Sequence, residues 1–202
     1  MKDLQEYITE SSNSLDDDIM SKIDNKETII ANNANIKDII RYAINKLGNN
    51  ADLNFIDVSN VTNMATLFNK INFNGDISNW DVSNVKDMNC MFIHSLFNQD
   101  ISNWDVSKVE DMSFMFFDSK FNGDISNWDV SKVKHMLWMF HDSKFNGDIS
   151  KWNVSNVIGM ISMFDNSNFN GDISNWDVSK VKKYKNIFLD CPIRDEYKPK
   201  FK

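Results

Sequence analysis

The sequence predicts an α/β repeat stack: six units of 24 residues, with a short parallel sheet on one face and helical or 3₁₀ turns on the other. A helix caps its N-terminal end. Three observations predict this. Trp80, Trp104, Trp128, Trp152 and Trp176 are each 24 residues apart, and Ile56 fills the same slot one period earlier. The phrase FNGDISNWDVSKVKHMLWMF at 121–140 recurs almost unchanged from 73, 145 and 169. Within each copy the apolar residues fall on one side, so no unit can bury its core without neighbours.

The register gives units 49–72, 73–96, 97–120, 121–144, 145–168 and 169–192. In the second unit the apolar slots are Phe73, Ile77, Trp80, Val82, Val85, Met88, Met91 and Phe92. Ile77, Trp80 and Val82, continued by Val85 and Met88, follow the L-x-x-L-x-L spacing of a leucine-rich repeat with bulkier side chains. The alternation Trp80–Asp81–Val82–Ser83 predicts a short strand with Trp and Val inward. Val85, Met88, Met91 and Phe92 recur at three- and four-residue steps, the spacing of one helical face, with Ser83 or Asn84 at the N-cap. Asn74-Gly75-Asp76 supplies the turn into the strand. Glycine is not required there, because Gln99 and Ala51 occupy the Gly75 slot elsewhere. Strands stacked about 4.8 Å apart make six units a rod or arc of about 29 Å. About eight apolar side chains per unit, at about 1.5–3 kcal/mol each, offset the ordering entropy only when both faces are covered.

The two ends differ from the middle. Ile36, Ile39, Ile40, Ala43, Ile44 and Leu47 form a helical stripe, preceded by Asn35 as a cap and closed by Gly48. Residues 35–48 therefore read as the capping helix over the first unit. Residues 1–34 carry weaker helical patches (Leu15, Ile19, Ile23) and read as weakly helical or partly mobile. Tyr184 replaces a methionine in the sixth unit, which Lys180, Lys182, Lys183 and Lys185 make polar. The charged tail at 193–202, RDEYKPKFK from 194 onward, is expected to fray.

Bulk composition narrows function. The chain has 202 residues, a net charge of −7 and a mean hydropathy of −0.45. The repeat region carries 12 basic and 18 acidic residues, which would repel a phosphate backbone, so nucleic acid is not an expected partner. No apolar run approaches the roughly 20 residues of a membrane span. The start, MKDLQEYITESSNSLDDDIM, has no apolar h-region and carries early acids, so no secretory signal is visible.

Phrases such as FNGDISNWDVSNVKDMNCMF resemble the BspA-like bacterial surface protein repeat, a leucine-rich-repeat variant also typical of mycoplasma-type lipoproteins. The resemblance runs through every unit of 49–192, and NNADLNFIDVSNVTNM at 49–64 looks like the usual opening of such arrays. It implies a solenoid used for surface adhesion or protein binding, without enzymatic activity. Asn153 in an aspartate slot and Gln99 in a glycine slot depart from the pattern. The start of the sequence points to the cytoplasm, and the resemblance to the cell surface.

Two acidic columns recur. Asp52, Asp76, Asp100, Asp124, Asp148 and Asp172 precede the strand and are read as turn residues accepting backbone N–H bonds. Asp57, Asp81, Asp105, Asp129 and Asp177, interrupted by Asn153, are placed on the outward strand face. There they are solvated beside Lys108, Lys132 and Lys180, form a docking strip for a basic protein, or bind calcium. One carboxylate per unit is a poor cage for a cation wanting six to eight oxygens, so no metal or other cofactor is assigned. Trp138 stands where Cys90, Phe114, Ser162 and Asn186 stand in other units; with Phe114 and Phe117 it is a candidate partner patch. His94, His135 and His141 occupy three different slots and suggest no shared site. No nucleophile–base motif, P-loop or metal spacing is present, and six similar units offer no single special locus, so an enzyme is not expected. The function read from the sequence is protein binding or adhesion, with self-association through the stack as the alternative.

Cys90 and Cys191 lie in units two and six. Four spacings of about 4.8 Å separate them by roughly 19 Å, whereas a disulfide needs Cα atoms within about 7 Å. Oxidised folded monomer is expected to keep two titratable thiols. A native Cys90–Cys191 bridge found by mass spectrometry would rule out the linear stack.

Overall fold

The computed structural model describes residues 15–201, so the Leu15 end of the 1–34 segment is described and residues 1–14 lie outside it. Helix α1 (Asp17–Asn25) starts where Asp16 Oδ1 accepts the Ile19 N–H at 2.8 Å and stops at Lys26, whose backbone is left-handed. Strand β1 (Ile29–Ile30) then pairs in parallel with β2 (Ile56–Asp57). Helix α2 (Ile36–Leu47) buries Ile36, Ile39, Ile40, Ala43 and Ile44, the apolar stripe of the sequence. Asn35 does not cap it as expected. Its Oδ1 instead accepts the Asn32 N–H at 2.8 Å, tightening the loop from β1.

From residue 49 onward the chain winds in 24-residue coils, each bent by four tight turns. In the fifth coil the Trp152, Val157, Met163 and Ser167 N–H groups donate to Ile149, Val154, Met160 and Phe164 carbonyls at 3.1, 2.9, 3.2 and 3.2 Å. Short polar side chains set the corners by accepting an N–H two residues ahead. In the second coil Asp76 takes Ser78, Asp81 takes Ser83, Asp87 takes Asn89 and Ser95 takes Phe97, at 2.9–3.1 Å. The last two turns place their third residue at positive φ, as in Cys90 (57°) and His94 (54°), and these slots repeat through Asn186 and Asp190. Positive φ at the third position is the type II signature.

Parallel pairing between coils does not fall on Trp80–Ser83. The bridges run Asn63–Asp87–Asp111–His135–Gly159–Lys183, seven residues beyond each Trp. From there Met88, Cys90, Phe92 and His94 donate forward to Asp111, Ser113, Met115 and Phe117 at 2.9–3.0 Å. Nor does a helix follow Ser83. Two successive four-residue turns reproduce the three- and four-residue apolar spacing of a helix, so periodicity alone does not separate them. The Trp–Asp–Val alternation belongs to a corner, because Asp81 draws Ser83 into the Val82–Val85 turn. Left-handed residues four apart limit the pairing to single bridges, leaving β1–β2 as the only regular sheet among the described residues.

Inside, like stacks on like. Phe68, Phe92, Phe116, Phe140, Phe164 and Phe188 form one column with ring centroids 5.3–5.9 Å apart. Phe73, Phe97, Phe121, Phe145 and Phe169 form a second at 6.2–6.4 Å. In the column Trp80, Trp104, Trp128, Trp152 and Trp176 each Nε1 donates to a carbonyl of the preceding coil, at 3.0–3.2 Å, so these indoles are buried without an unpaired donor. An asparagine column ties the turns: Asn98, Asn122, Asn146 and Asn170 N–H groups donate to Oδ1 of the Asn one coil earlier, at 2.7–2.8 Å. Gly75 has ordinary φ; a Cβ at this position would meet the Ala51 carbonyl oxygen and then the Phe73 ring.

The tail does not fray as expected. Ile193 and Pro199 are buried, the Ile173 N–H donates to the Tyr197 carbonyl at 3.0 Å, and Phe201 stacks on Tyr184 at 5.0 Å. RDEYKPKFK is polar only on its outer side.

Trp128 is 3 % exposed, its Nε1 bonds to Ile101, and its ring meets Phe116 at 6.4 Å. Trp128→Ala is expected to cost about 3–5 kcal/mol. Asp129→Ala, which loses only the exposed turn bonds to Ser131, should cost about 1 kcal/mol. Urea midpoints check the difference, and equal midpoints would refute the inside–outside assignment.

Candidate partner-binding surfaces

The residues singled out in the sequence lie at two different corners of the coil. Asp81, Asp105, Asp129 and Asp177 are exposed, and each spends Oδ1 on the N–H of the serine two residues ahead, at 3.0 Å. Asp57 does the same for Ser59, and Asn153 does so for Ser155 at 3.2 Å. Both acidic columns therefore hold turns; the sequence reading gave that role to the first alone. The lysines expected beside them are partly engaged elsewhere. Lys108 and Lys180 donate to Asn84 and Asn156 Oδ1, each at 2.7 Å.

Turn bonding acts on the acids. The Ser107 and Ser131 hydroxyls, then their N–H groups, hold the Asp105 and Asp129 carboxyls below the usual range, and Ser59 does so for Asp57. In the first column the backbone N–H is the larger cause, lowering Asp76, Asp100, Asp124, Asp148 and Asp172.

Phe114, Phe117 and Trp138 do come together. Phe114 lies 4.9 Å from Trp138 and 6.0 Å from Phe117, centroid to centroid, and all three are half-buried. The cluster extends further than the sequence suggested. Phe117 lies between His94, at 5.3 Å, and His141, at 4.8 Å. Those histidines stand in adjacent slots, one coil to either side of Phe117, and that adjacency was the available signal. Carboxylates edge the cluster: Asp118 Oδ2 is 2.9 Å from His94 Nδ1, and Asp142 Oδ2 is 3.1 Å from His141 Nε2.

The backbone under the cluster is unusual. Phe114 (φ 59°) and Trp138 (φ 52°) occupy the left-handed slot that holds Asn186 in the sixth coil. A left-handed backbone disfavours bulky side chains by roughly 1–2 kcal/mol and suits Asn. Cys90 fills the same slot, where burial, then Asp111 and Asp87, push its thiol pKa up. Among the described residues no group of three or more His, Cys, Asp or Glu is placed to hold a metal, and no helix is long and apolar enough to cross a membrane.

Coils that stack in 24-residue register on aromatic columns define a repeat protein. The family described as "Mycoplasma protein of unknown function, DUF285" matches residues 34–143 and again 97–196, and the chain belongs to that family. No curated protein matches it. No solved structure matches it either.

The lowered carboxyls give a pH signature. A carboxylate held below its unfolded pKa, about 3.9 for Asp, contributes stability that is present above that value. The contribution is lost as pH falls through the folded pKa. Melting temperature is therefore expected to be level from pH 7 to 5 and to drop below about pH 4. The double variant Asp105→Asn/Asp129→Asn, which copies the natural Asn153, should keep the turns and make the drop smaller, the six other lowered turn aspartates supplying the rest; melts followed by circular dichroism check both.

Proposed function

We propose that the stack is a leucine-rich-repeat-like solenoid of the BspA-like kind, and that it is a non-enzymatic protein-binding or adhesion module. Its contact surface is the aromatic cluster Phe114, Trp138 and Phe117. The observation that carries this reading is the choice of residue at the left-handed slot. Other coils place Ser162 or Asn186 there, yet two adjacent central coils carry Phe114 and Trp138. Half-exposed aromatics on a rigid frame lose little entropy when covered, which is why such residues dominate protein contacts. The acidic column Asp81, Asp105, Asp129 and Asp177 is a second surface, suited to a basic partner.

The test compares the parent with Phe114→Asn/Trp138→Asn. Since Asn tolerates a left-handed backbone, the variant is expected to melt no lower than the parent while losing at least tenfold in affinity for proteins captured from cell extract. Retained capture that disappears in Asp81→Asn/Asp105→Asn/Asp129→Asn would move the surface to the acidic column. Concentration-dependent mass in sedimentation, with no captured protein, would favour the self-associating alternative.

A further inference from the structure

The stack has a direction. In every coil interface the N–H groups of four alternate residues point toward the following coil, and the carbonyls that receive them point back. Met160, Ser162, Phe164 and Asn166 thus donate to Lys183, Lys185, Ile187 and Leu189 at 2.8–2.9 Å. In the sixth coil the equivalent donors of Asn186, Phe188 and Asp190 have no acceptor among the described residues. The residues that follow begin as a further coil would, with Ile193 buried in the slot that Phe169 fills one period earlier, and the Tyr197 carbonyl then receives the Ile173 N–H. They then cross the end of the core: Lys198 lies over the Phe188 ring at 5.7 Å and Phe201 reaches Tyr184. Among the described residues the Asn186, Phe188 and Asp190 N–H groups are left without a backbone partner.

We propose that this end of the stack docks an extended acidic segment of a partner protein, whose carboxylates accept the Asn186, Phe188 and Asp190 N–H groups. Two features select that occupant. The row offers donors only, because the carbonyls of Lys185, Ile187 and Leu189 are already taken by the fifth coil. An ordinary strand laid there would leave its own inward N–H groups unpaired, at a desolvation penalty. A carboxylate has no donor to lose. The second feature is charge. Residues 180–202 carry eight basic and three acidic residues in a chain of net charge −7. Beside the donor row Lys182, Lys183 and Lys185 line an open hollow of about 470 Å³ with Ile161 and Tyr184. Aligned peptide dipoles add partial positive charge at the same end, as backbone N–H groups do at anion sites generally. Polarity also argues against tail-to-tail pairing of two copies, which sets donors against donors. At the other end α2 stands beside the first coil, its Lys37 Nζ donating to Thr66 Oγ1 at 2.7 Å.

Hydrogen exchange resolved by NMR on the full chain, with a 12-residue glutamate-rich peptide as probe, tests this. Alone, the Asn186, Phe188 and Asp190 amides are expected to exchange much faster than their equivalents Ser162, Phe164 and Asn166. Peptide should slow them at least tenfold, and Lys182→Glu/Lys183→Glu/Lys185→Glu should weaken binding at least tenfold. Those lysines are exposed, so the fold is expected to survive the change. The proposal is overturned if the three amides are already protected in the free chain, or if peptide binds without protecting them. Protection that grows with protein concentration alone would make a second copy the occupant, and equal protection by inorganic phosphate would make the site one for small anions; either result also overturns it.

Discussion

The forward hydrogen bond from one coil to the next is the constraint on which the rest of the structure depends. It requires every other peptide in the 87–94 segment to stand along the stack axis, N–H forward and carbonyl back. A regular strand cannot place all its donors on one side, since its paired residues present N–H and C=O together. The chain meets the requirement by turning twice in eight residues, with a left-handed residue in each turn. The strain at Thr66, Cys90, Phe114 and Trp138 is thus a consequence of the ladder, offset by bonds repeated in each coil.

That single geometry explains why the side chains are so uniform. Once coils are in backbone register, identical residues lie above one another, and each must tolerate its own copy as a neighbour. Flat rings do so by stacking, as the two Phe columns show. Amides do so by accepting on one side and donating on the other, as in the Asn98–Asn122 step. Like charges do so least well, and the aspartates occur at exposed corners with the turn N–H groups as local counter-dipoles. Stability in such a stack is close to a sum of nearest-neighbour terms, so a changed interior slot weakens two interfaces and leaves distant coils alone.

The sequence carries the period, the unit boundaries and the buried slots legibly, because burial depends only on which residues recur as apolar. Phe73, Ile77, Trp80, Val82, Val85, Met88, Met91 and Phe92 are all buried. The path of the chain between those slots is less legible. Three- and four-residue spacing fits a helix and a pair of type II turns equally, and no glycine marks the left-handed positions that would distinguish them. Corner chemistry was half legible: Asp76 before Ser78 reads as a turn, whereas Asp81, between Trp and Val, imitates the outward residue of a strand. Phe114 and Trp138 stood out as irregular members of one column. The place of His94 and His141 beside Phe117 became visible only with the coils stacked.

Irregular slots are where a repeat protein has freedom to acquire a surface. Interior slots are held by their own copies above and below, and the corner acids by turns they must close. The left-handed slot shares its backbone conformation and little else: Thr66, Cys90, Phe114, Trp138, Ser162 and Asn186 differ in size, polarity and burial. Its occupants can therefore change coil by coil without disturbing the ladder, and an aromatic patch can arise in two adjacent coils while the frame beneath stays the same. The open end has the complementary property. Its donors are dictated wholly by the frame, and the side chains around them, the lysines of the sixth coil, are what can be chosen. One surface varies over a fixed backbone, and the other presents the backbone itself.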